Sequence, residues 1–108
     1  MIGKEGNTMK LITKEIARKL PKLYAQDGVK DPMVYLKLFN PVGAGTWYIT
    51  EWDGEDTFFG FADLGDPACA EFGYISKSEL ESLRLPMGMS IERDAWWSPK
   101  PLSEAKGS

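Results

Sequence analysis

The sequence predicts a small α+β domain, in which an antiparallel sheet of three to five strands carries two short packed helices and an extended C-terminal tail. Two stretches rich in β-branched and aromatic residues flank the turn at residues 53–56, as in a β-hairpin. Apolar residues recur at helical spacing both before and after that hairpin. With 108 residues, of which 43% are hydrophobic, the chain is long enough for one core and too short for two ordinary domains.

The predicted domain spans residues 9–104. Residues 1–8 lack the apolar region of a signal peptide and are expected to be a disordered extension or a cloning remnant. Residues 105–108 are expected to be a frayed tail. The first helix is expected to begin after Thr13, a suitable N-cap, and Pro21 cannot continue it because proline lacks the backbone N–H.

Strands are predicted from the alternation of apolar side chains and from the content of β-branched and aromatic residues. The four segments are residues 33–40, 46–52, 57–62 and 72–76. A second helix follows, because Ser76 stands three residues before Glu79 in the spacing of a capping box. Beyond it, Pro99 and Pro101 each restrict the preceding residue, so residues 91–104 are expected to run extended, with at most one brief strand at their start.

The hairpin carries large apolar side chains on both of its faces. Trp52 is expected to lie opposite Thr57. One face then holds Tyr48, Thr50, Phe59 and Phe61, and the other holds Trp47, Ile49, Glu51 and Phe58. Helices cover one face, so the other is either covered by the tail or open to a partner. We expect one or both of Trp96 and Trp97 to lie over the Tyr48–Phe59–Phe61 face, and an exposed aromatic groove is the alternative.

The composition disfavours an enzyme. Histidine is absent, which removes the commonest general base near neutral pH and the usual zinc ligand. Cys69, the single cysteine, lies between two alanines in an acidic loop, which is a poor setting for a nucleophile. A single cysteine also precludes an internal disulfide, in keeping with a cytoplasmic protein. No catalytic residue and no cofactor is predicted.

The carboxylates near the turn raise the alternative of a metal-binding or small-ligand-binding protein or enzyme. Those residues are Glu51, Asp53, Glu55 and Asp56. Their spacing does not match a calcium-binding EF-hand loop, because the position of the terminal bidentate glutamate falls on Gly60. A polar turn explains Asp53 and Gly54 without a metal. No metal site is therefore predicted, and a site of two carboxylates stays an alternative.

The charges are unevenly distributed along a chain of net charge −3. The first 30 residues are rich in lysine, whereas residues 51–81 hold nine acids and one lysine. Nucleic-acid binding through Lys14, Arg18 and Lys19 is a third alternative, but it is not expected, because the aromatic hairpin is flanked by acids and lacks a basic groove. No apolar run reaches the roughly 20 residues of a membrane span, so no membrane partner is expected.

Several segments together are similar to a bacterial domain family of unknown function, numbered 2958 among such domains. The most specific are WDGEDTFFG, from Trp52 to Gly60, and G..IERD, from Gly88 to Asp94. The similarity runs from about residue 9 to residue 104. It implies a small stand-alone protein of a plasmid, a conjugative element or a phage, and it implies no catalytic residue.

The predicted function is a protein-interaction module of a bacterial mobile element, and that setting suggests action on a host defence system. The contact surface is expected on the acidic turn and the aromatic side chains near it. Its members are Trp52, Asp53, Glu55, Asp56, Tyr48, Phe59 and Phe61. Arg93 is expected to pair with Asp53 or Asp56 and to hold the tail against the hairpin. The sequence leaves the identity of the protein partner and the formation of a homodimer open.

Overall fold

A computed structural model describes residues 11–107 of the chain. The extension predicted at residues 1–8 lies outside this range. The helices are α1 (Lys14–Lys19), α2 (Lys77–Ser82) and α3 (Leu102–Lys106). The strands are β1 (Met33–Val34), β2 (Leu36–Phe39), β3 (Thr46–Trp52), β4 (Thr57–Asp63), β5 (Glu71–Ser76), β6 (Glu92–Arg93) and β7 (Lys100–Pro101).

The described strands form a five-stranded sheet in the order β5-β4-β3-β2-β6, and β1 pairs with β7 in a separate two-stranded ribbon. All neighbouring strands are antiparallel. The strand predicted at residues 33–40 is interrupted at Tyr35, so its first part joins the ribbon and its second part joins the sheet. The predicted α+β class is confirmed.

The two predicted helices begin at the residues that the sequence indicated. The hydroxyl of Thr13 accepts a hydrogen bond from the N–H of Ile16 at 3.1 Å, and that of Ser76 accepts one from the N–H of Glu79 at 3.2 Å. The helices are five or six residues long. Within residues 11–107, no helix combines the length and the apolar character needed to cross a membrane.

One face of the sheet forms the main hydrophobic core. Strand β2 shows how the sequence builds it, because Leu36 and Leu38 alternate with half-buried residues and are themselves buried. Helix α1 closes over this face through Ile16 and the following Leu20, and α2 does so through Leu80. The buried members are Leu11, Leu20, Leu36, Leu38, Trp47, Ile49, Phe58, Leu80 and Ile91. Removal of this apolar surface from water is the main contribution to the stability of the fold.

The opposite face of the sheet is covered over part of its width by the β1–β7 ribbon and α3. The buried residues of this second core are Val34, Tyr48, Leu102 and Ala105. The chain was predicted to run extended after Pro101 and to be frayed from residue 105. Both predictions were wrong, because residues 102–106 form α3 and Ala105 is buried in it. Proline is tolerated at the start of a helix, and Leu102 and Ala105 then share one helix face at i, i+3 spacing.

The β3–β4 hairpin has the predicted register at its base and a different one near its turn. Tyr48 stands opposite Phe61, as expected. Trp52 stands opposite Phe58, so its predicted pairing with Thr57 was wrong. A β-bulge between residues 49 and 51 adds one residue to β3 and causes the shift.

The bulge changes the face on which Glu51 lies. Its backbone pairs with Phe59, and its side chain lines a cleft together with Thr50 and Phe59. The prediction that Glu51 shares a face with Ile49 was therefore wrong. A carboxylate that alternation would place in the main core is instead brought to the aromatic side of the sheet.

Candidate binding surface

The acidic turn at residues 53–56 is held together by its own polar groups. The Oδ1 atom of Asp53 accepts hydrogen bonds from the N–H of Glu55 at 2.8 Å and of Thr57 at 3.1 Å. These bonds, that to Glu55 first, lower the pKa of Asp53. The indole Nε1 of Trp52 donates to the carbonyl oxygen of Glu55 at 3.1 Å. Asp53 and Trp52 thus fix the conformation of the turn.

Asp56 joins the turn to the start of α2. Its carboxylate accepts hydrogen bonds from Ser76 Oγ at 2.8 Å, Ser78 N–H at 2.8 Å and Ser78 Oγ at 3.0 Å. These bonds, with that from Ser76 Oγ the largest cause, lower the pKa of Asp56. In the described part of the chain, no group of three or more His, Cys, Asp or Glu side chains is arranged to hold a metal ion.

Arg93 lies at the other end of the sheet from the acidic turn. It stands opposite Leu38 in the β2–β6 pairing, and Leu38 stands opposite Trp47. Trp47 is six residues before Asp53, which corresponds to about 20 Å along a strand. The predicted pairing of Arg93 with Asp53 or Asp56 is therefore wrong, because the distance exceeds the reach of an arginine side chain.

The two neighbouring tryptophans of the C-terminal segment have different environments. The indole Nε1 of Trp97 donates to the carbonyl oxygen of Val34 at 3.0 Å, and Lys100 Nζ lies 4.3 Å from the centre of the Trp97 ring. Trp97 thus packs against the second core, at the Tyr48 end of the aromatic face. Trp96 is 95% exposed. Of the two tryptophans, Trp97 therefore covers part of this face and Trp96 does not.

The cover over the aromatic face ends near Phe61. Tyr48 is buried in the second core, so its predicted place on a partner surface was wrong. Phe61 is half-buried, and Lys106 Nζ of α3 lies 4.7 Å from the centre of its ring. Phe59, the third member of the predicted face, lies two residues before Phe61 in β4, nearer the acidic turn.

Five aromatic side chains continue across the edge half of the sheet, and we call them the aromatic strip. They are Phe61, Phe72, Phe59, Tyr74 and Tyr24. Phe61 and Phe72 meet edge to face at 5.3 Å between ring centres, Phe72 and Phe59 stack at 5.8 Å, and Phe59 and Tyr74 meet edge to face at 5.2 Å. The hydroxyls of Tyr74 and Tyr24 lie 3.0 Å apart, and this hydrogen bond is the main cause that raises the pKa of Tyr74.

The strand pairing explains why these rings meet. Phe59 stands opposite Tyr74 and Phe61 opposite Phe72 in the β4–β5 ladder. Side chains two residues apart on a strand point to the same face, so the four rings form one patch. Phe72 and Tyr74 are 41% and 58% exposed, and Tyr24 is 66% exposed. Contiguous exposed aromatic surface of this kind is typical of interaction sites.

Glu51 holds the loop at residues 21–29 over the aromatic side of the sheet. The side chain is 4% exposed, and its Oε1 and Oε2 atoms accept hydrogen bonds from the N–H groups of Tyr24 and Gln26, each at 2.8 Å. The side chain of Gln26 in turn bonds to both backbone groups of Met33 and to the carbonyl oxygen of Thr50. These bonds keep Tyr24 beside Tyr74.

A cleft of about 340 Å³ lies between this loop and the strip. Its walls are mainly apolar and include Phe59, Phe72 and Tyr74. Among residues 11–107, those that line the cleft include the acids Asp27 and Glu51 and no lysine or arginine. An apolar cleft with a few polar groups is the usual form of a ligand-binding site.

Three members of the strip were missed in the sequence. Phe72 and Tyr74 carried a usable signal, because they lie two residues apart in a predicted strand and therefore share a face. Tyr24 carried no local signal. It is positioned by Glu51, which is 27 residues away, and only the three-dimensional structure shows that contact.

The remaining candidate residues lie away from the strip. Arg18 and Lys19 are exposed on α1, and Lys19 Nζ lies 3.7 Å from a carboxylate oxygen of Glu15. Cys69 is exposed, and its Sγ lies 3.5 Å from Oδ2 of Asp66. Lys19 lines a smaller cleft of about 220 Å³ together with Glu15 and Arg93.

Comparison with known proteins gives a family without an assigned activity. No curated protein and no solved structure matches the chain at a significant level. A family model described as "Protein of unknown function (DUF2958)" matches residues 11–105. This range includes both hydrophobic cores, the acidic turn and the whole aromatic strip. The chain belongs to the DUF2958 family of proteins of unknown function.

Proposed function

We propose that the chain is a non-enzymatic protein-interaction module and that it binds its partner through the aromatic strip. The observation that carries the proposal is the exposure of contiguous rings at the edge of a rigid sheet, where Phe72 and Tyr74 are 41% and 58% exposed. Aromatic residues supply much of the binding free energy of protein interfaces, since each buries a large area with few rotatable bonds.

The acidic turn is the weaker candidate for the contact. The carboxylates of Asp53 and Asp56 already accept hydrogen bonds from Thr57, Ser76 and Ser78, so a partner would have to compete for them. A partner that docks on the phenylalanine rings of the strip does not have to compete with such hydrogen bonds. Their exposed faces become buried when a partner docks, which favours association.

The setting of the interaction is part of the same proposal. The family resemblance suggests a plasmid, a conjugative element or a phage, and the single exposed cysteine suits a reducing cytoplasm. In that setting, a small module with a binding surface and without catalytic groups acts by occupying a host protein. A component of a host defence system is the partner class that we propose.

Quantitative affinity capture from a lysate of the bacterial host tests the use of the strip. Wild-type protein is compared with Phe72→Ala, Tyr74→Ala and the control Trp96→Ala, which removes an equally large exposed ring elsewhere. We expect recovery of a specific partner to fall about tenfold or more for the two strip variants. Unchanged recovery with Tyr74→Ala and Phe72→Ala, or an equal loss with Trp96→Ala, would contradict the proposal.

A second candidate is the binding of a small ligand, which the 340 Å³ cleft favours. Clefts of this size with apolar walls and few polar groups accept small molecules. A fragment library titrated into the protein and followed by NMR tests it. We expect binders, if this candidate is right, to shift the amide signals of Thr50 and Phe59. A library without a binder at millimolar concentration would eliminate the candidate.

A further inference from the structure

The edge of the sheet beside the aromatic strip has backbone groups available for a further strand. Within the part of the chain that the structure describes, β5 pairs with β4 on one side and with no strand on the other. The N–H of Lys77 donates to the carbonyl oxygen of Asp56 at 2.7 Å, in register with the β4–β5 ladder. Hydrogen-bonded pairs recur at every second residue of an antiparallel ladder.

This alternation decides which backbone groups of β5 face outward. Gly73 and Ile75, two and four residues before Lys77, bond to β4. Phe72 and Tyr74 therefore direct their N–H and C=O groups to the open edge. The two residues whose rings are exposed are also the two whose backbone can pair with an added strand. Free edges of this kind accept extended peptides.

The charges around the cleft indicate what such a strand carries. Asp27 and Glu51 line the cleft, and among residues 11–107 no lysine or arginine does. Their carboxylates lie near the hydroxyl of Tyr74 and contribute to its raised pKa, after the hydrogen bond to Tyr24. A cation over an aromatic ring beside carboxylates is stabilised by both.

The chain itself shows that the rings of this face accept cations. Lys106 lies over Phe61 at 4.7 Å, and Lys100 lies over Trp97 at 4.3 Å. Both belong to the part of the face that the C-terminal segment covers. The uncovered part, around Phe72 and Tyr74, combines the same ring chemistry with the two carboxylates.

We infer that the partner contributes an extended segment that pairs with the open edge of β5 and places a lysine or arginine side chain over the strip, beside Asp27. Side chains of an added strand lie about 5 Å from those of the neighbouring residues on the same face, so a basic residue opposite Phe72 or Tyr74 reaches the cleft. This inference rests on the proposed function and names the chemistry of its partner.

Selection from a display library of random linear 12-residue peptides against the full chain tests the charge preference. We expect enriched peptides to carry lysine or arginine between β-branched residues. Replacing the selected arginine by citrulline, its neutral analogue, is expected to weaken binding about two- to fivefold. Asp27→Asn is expected to reduce that difference without affecting folding, because Asp27 is exposed. Enriched peptides without a basic residue would overturn the inference.

Amide hydrogen exchange with a selected peptide tests the strand pairing. In the free protein, we expect the N–H groups of Phe72 and Tyr74 to exchange faster than those of Gly73 and Ile75. Bound peptide is expected to slow Phe72 and Tyr74 at least tenfold and to leave the other two nearly unchanged. Binding without new protection at Phe72 and Tyr74 would contradict strand addition.

The outcomes separate this inference from the proposed function. Peptides that are neutral or acidic, but lose binding with Tyr74→Ala, would overturn the inference and leave the strip as the binding surface. Selected peptides unaffected by Tyr74→Ala would contradict both. A dimer in sedimentation that Tyr74→Ala dissociates would assign the edge to a second copy of the chain and would also overturn the inference.

Discussion

Glu51 determines the position of the loop that forms one wall of the cleft. A buried carboxylate is costly unless its oxygens are hydrogen-bonded, and here both oxygens accept backbone N–H groups at 2.8 Å. Those groups belong to Tyr24 and Gln26, so the side chain links the sheet to a segment that is distant in sequence. At the scale of single residues, Glu51 is the main connection between the fold and the candidate site.

Replacing Glu51 by glutamine is expected to lower stability. The amide keeps one acceptor and turns an NH₂ group toward a backbone N–H, which leaves that donor unpaired. We expect the free energy of unfolding to fall by about 1.5–3 kcal/mol. Urea denaturation measures it. The control is Glu55→Gln at an exposed position, for which a change within about 0.5 kcal/mol is expected. Equal effects of the two changes would contradict the structural role of Glu51.

Residue-level prediction from the sequence succeeded where partners are local. Asp53 bonds to residues two and four positions ahead, and Thr13 and Ser76 cap the helices that follow them, all within reach of pattern rules. The role of Glu51 was not predictable, because its partners are 25 and 27 residues away. Arg93 was misplaced for the same reason, since the sequence does not show that its strand pairs with β2.

At the scale of elements, β4 passes close to the backbone of β3 at Gly60, next to the bulge. A methyl group added to Gly60 would overlap the carbonyl oxygen of Tyr48. Its ladder partner in β5, Gly73, has no atom within 4 Å of the same added group. The two glycines stand opposite each other and differ in the room around them.

Alanine substitution at these two positions gives a matched comparison. Gly60→Ala is expected to lower the free energy of unfolding by about 1–3 kcal/mol, because backbone must shift to relieve the overlap. Gly73→Ala is expected to change it by no more than about 0.5 kcal/mol. Thermal and chemical denaturation measure both. A Gly60→Ala variant as stable as the Gly73→Ala variant would show that the bulge leaves more room at β3 than the structure indicates.

The helices and strands with a clear apolar period in the sequence were the ones that could be predicted. The hairpin and the two capped helices combine a period with turn or cap residues, and they form where expected. Helix α3 was missed because it has only five residues and follows two prolines. It forms because Leu102 and Ala105 bury against Val34 and Tyr48, a contact that local pattern does not show.

At the scale of the whole molecule, three aspartates make the free energy of unfolding depend on pH. The pKa of each is lowered mainly by a hydrogen bond that its carboxylate accepts. The donor is Ser103 for Asp31, Glu55 for Asp53 and Ser76 for Asp56. A carboxyl group whose pKa is lower in the folded than in the unfolded state stabilises the fold above its unfolded pKa. That contribution is lost as the pH falls through the folded pKa.

The free energy of unfolding is therefore expected to be insensitive to these groups above about pH 5 and to decrease below about pH 4. The variant that combines Asp31→Asn, Asp53→Asn and Asp56→Asn should be less stable at pH 7 and should lose less stability on acidification. Urea denaturation at pH 7, 5, 4 and 3 measures both curves. An acid dependence that is equally steep in the variant would refute this assignment.

One face of the sheet is covered by helices, and the other is covered in part and exposed in part. Within residues 11–107, α1 and α2 close the main core, whereas α3 and the β1–β7 ribbon cover the second face only as far as Phe61. The sequence indicated apolar residues on both faces of the hairpin, which left a covered face and a binding face as alternatives. The structure shows that one part of this face is covered and that another part is exposed.

Site-specific photocrosslinking in bacterial cells tests most directly that the open part binds a protein. The photoreactive residue p-benzoylphenylalanine replaces Tyr74 in one variant and Trp96 in another, and both positions are exposed. The account predicts a discrete protein adduct after irradiation at position 74 and none at position 96. Absence of an adduct at position 74, or the same adduct at both positions, would contradict it.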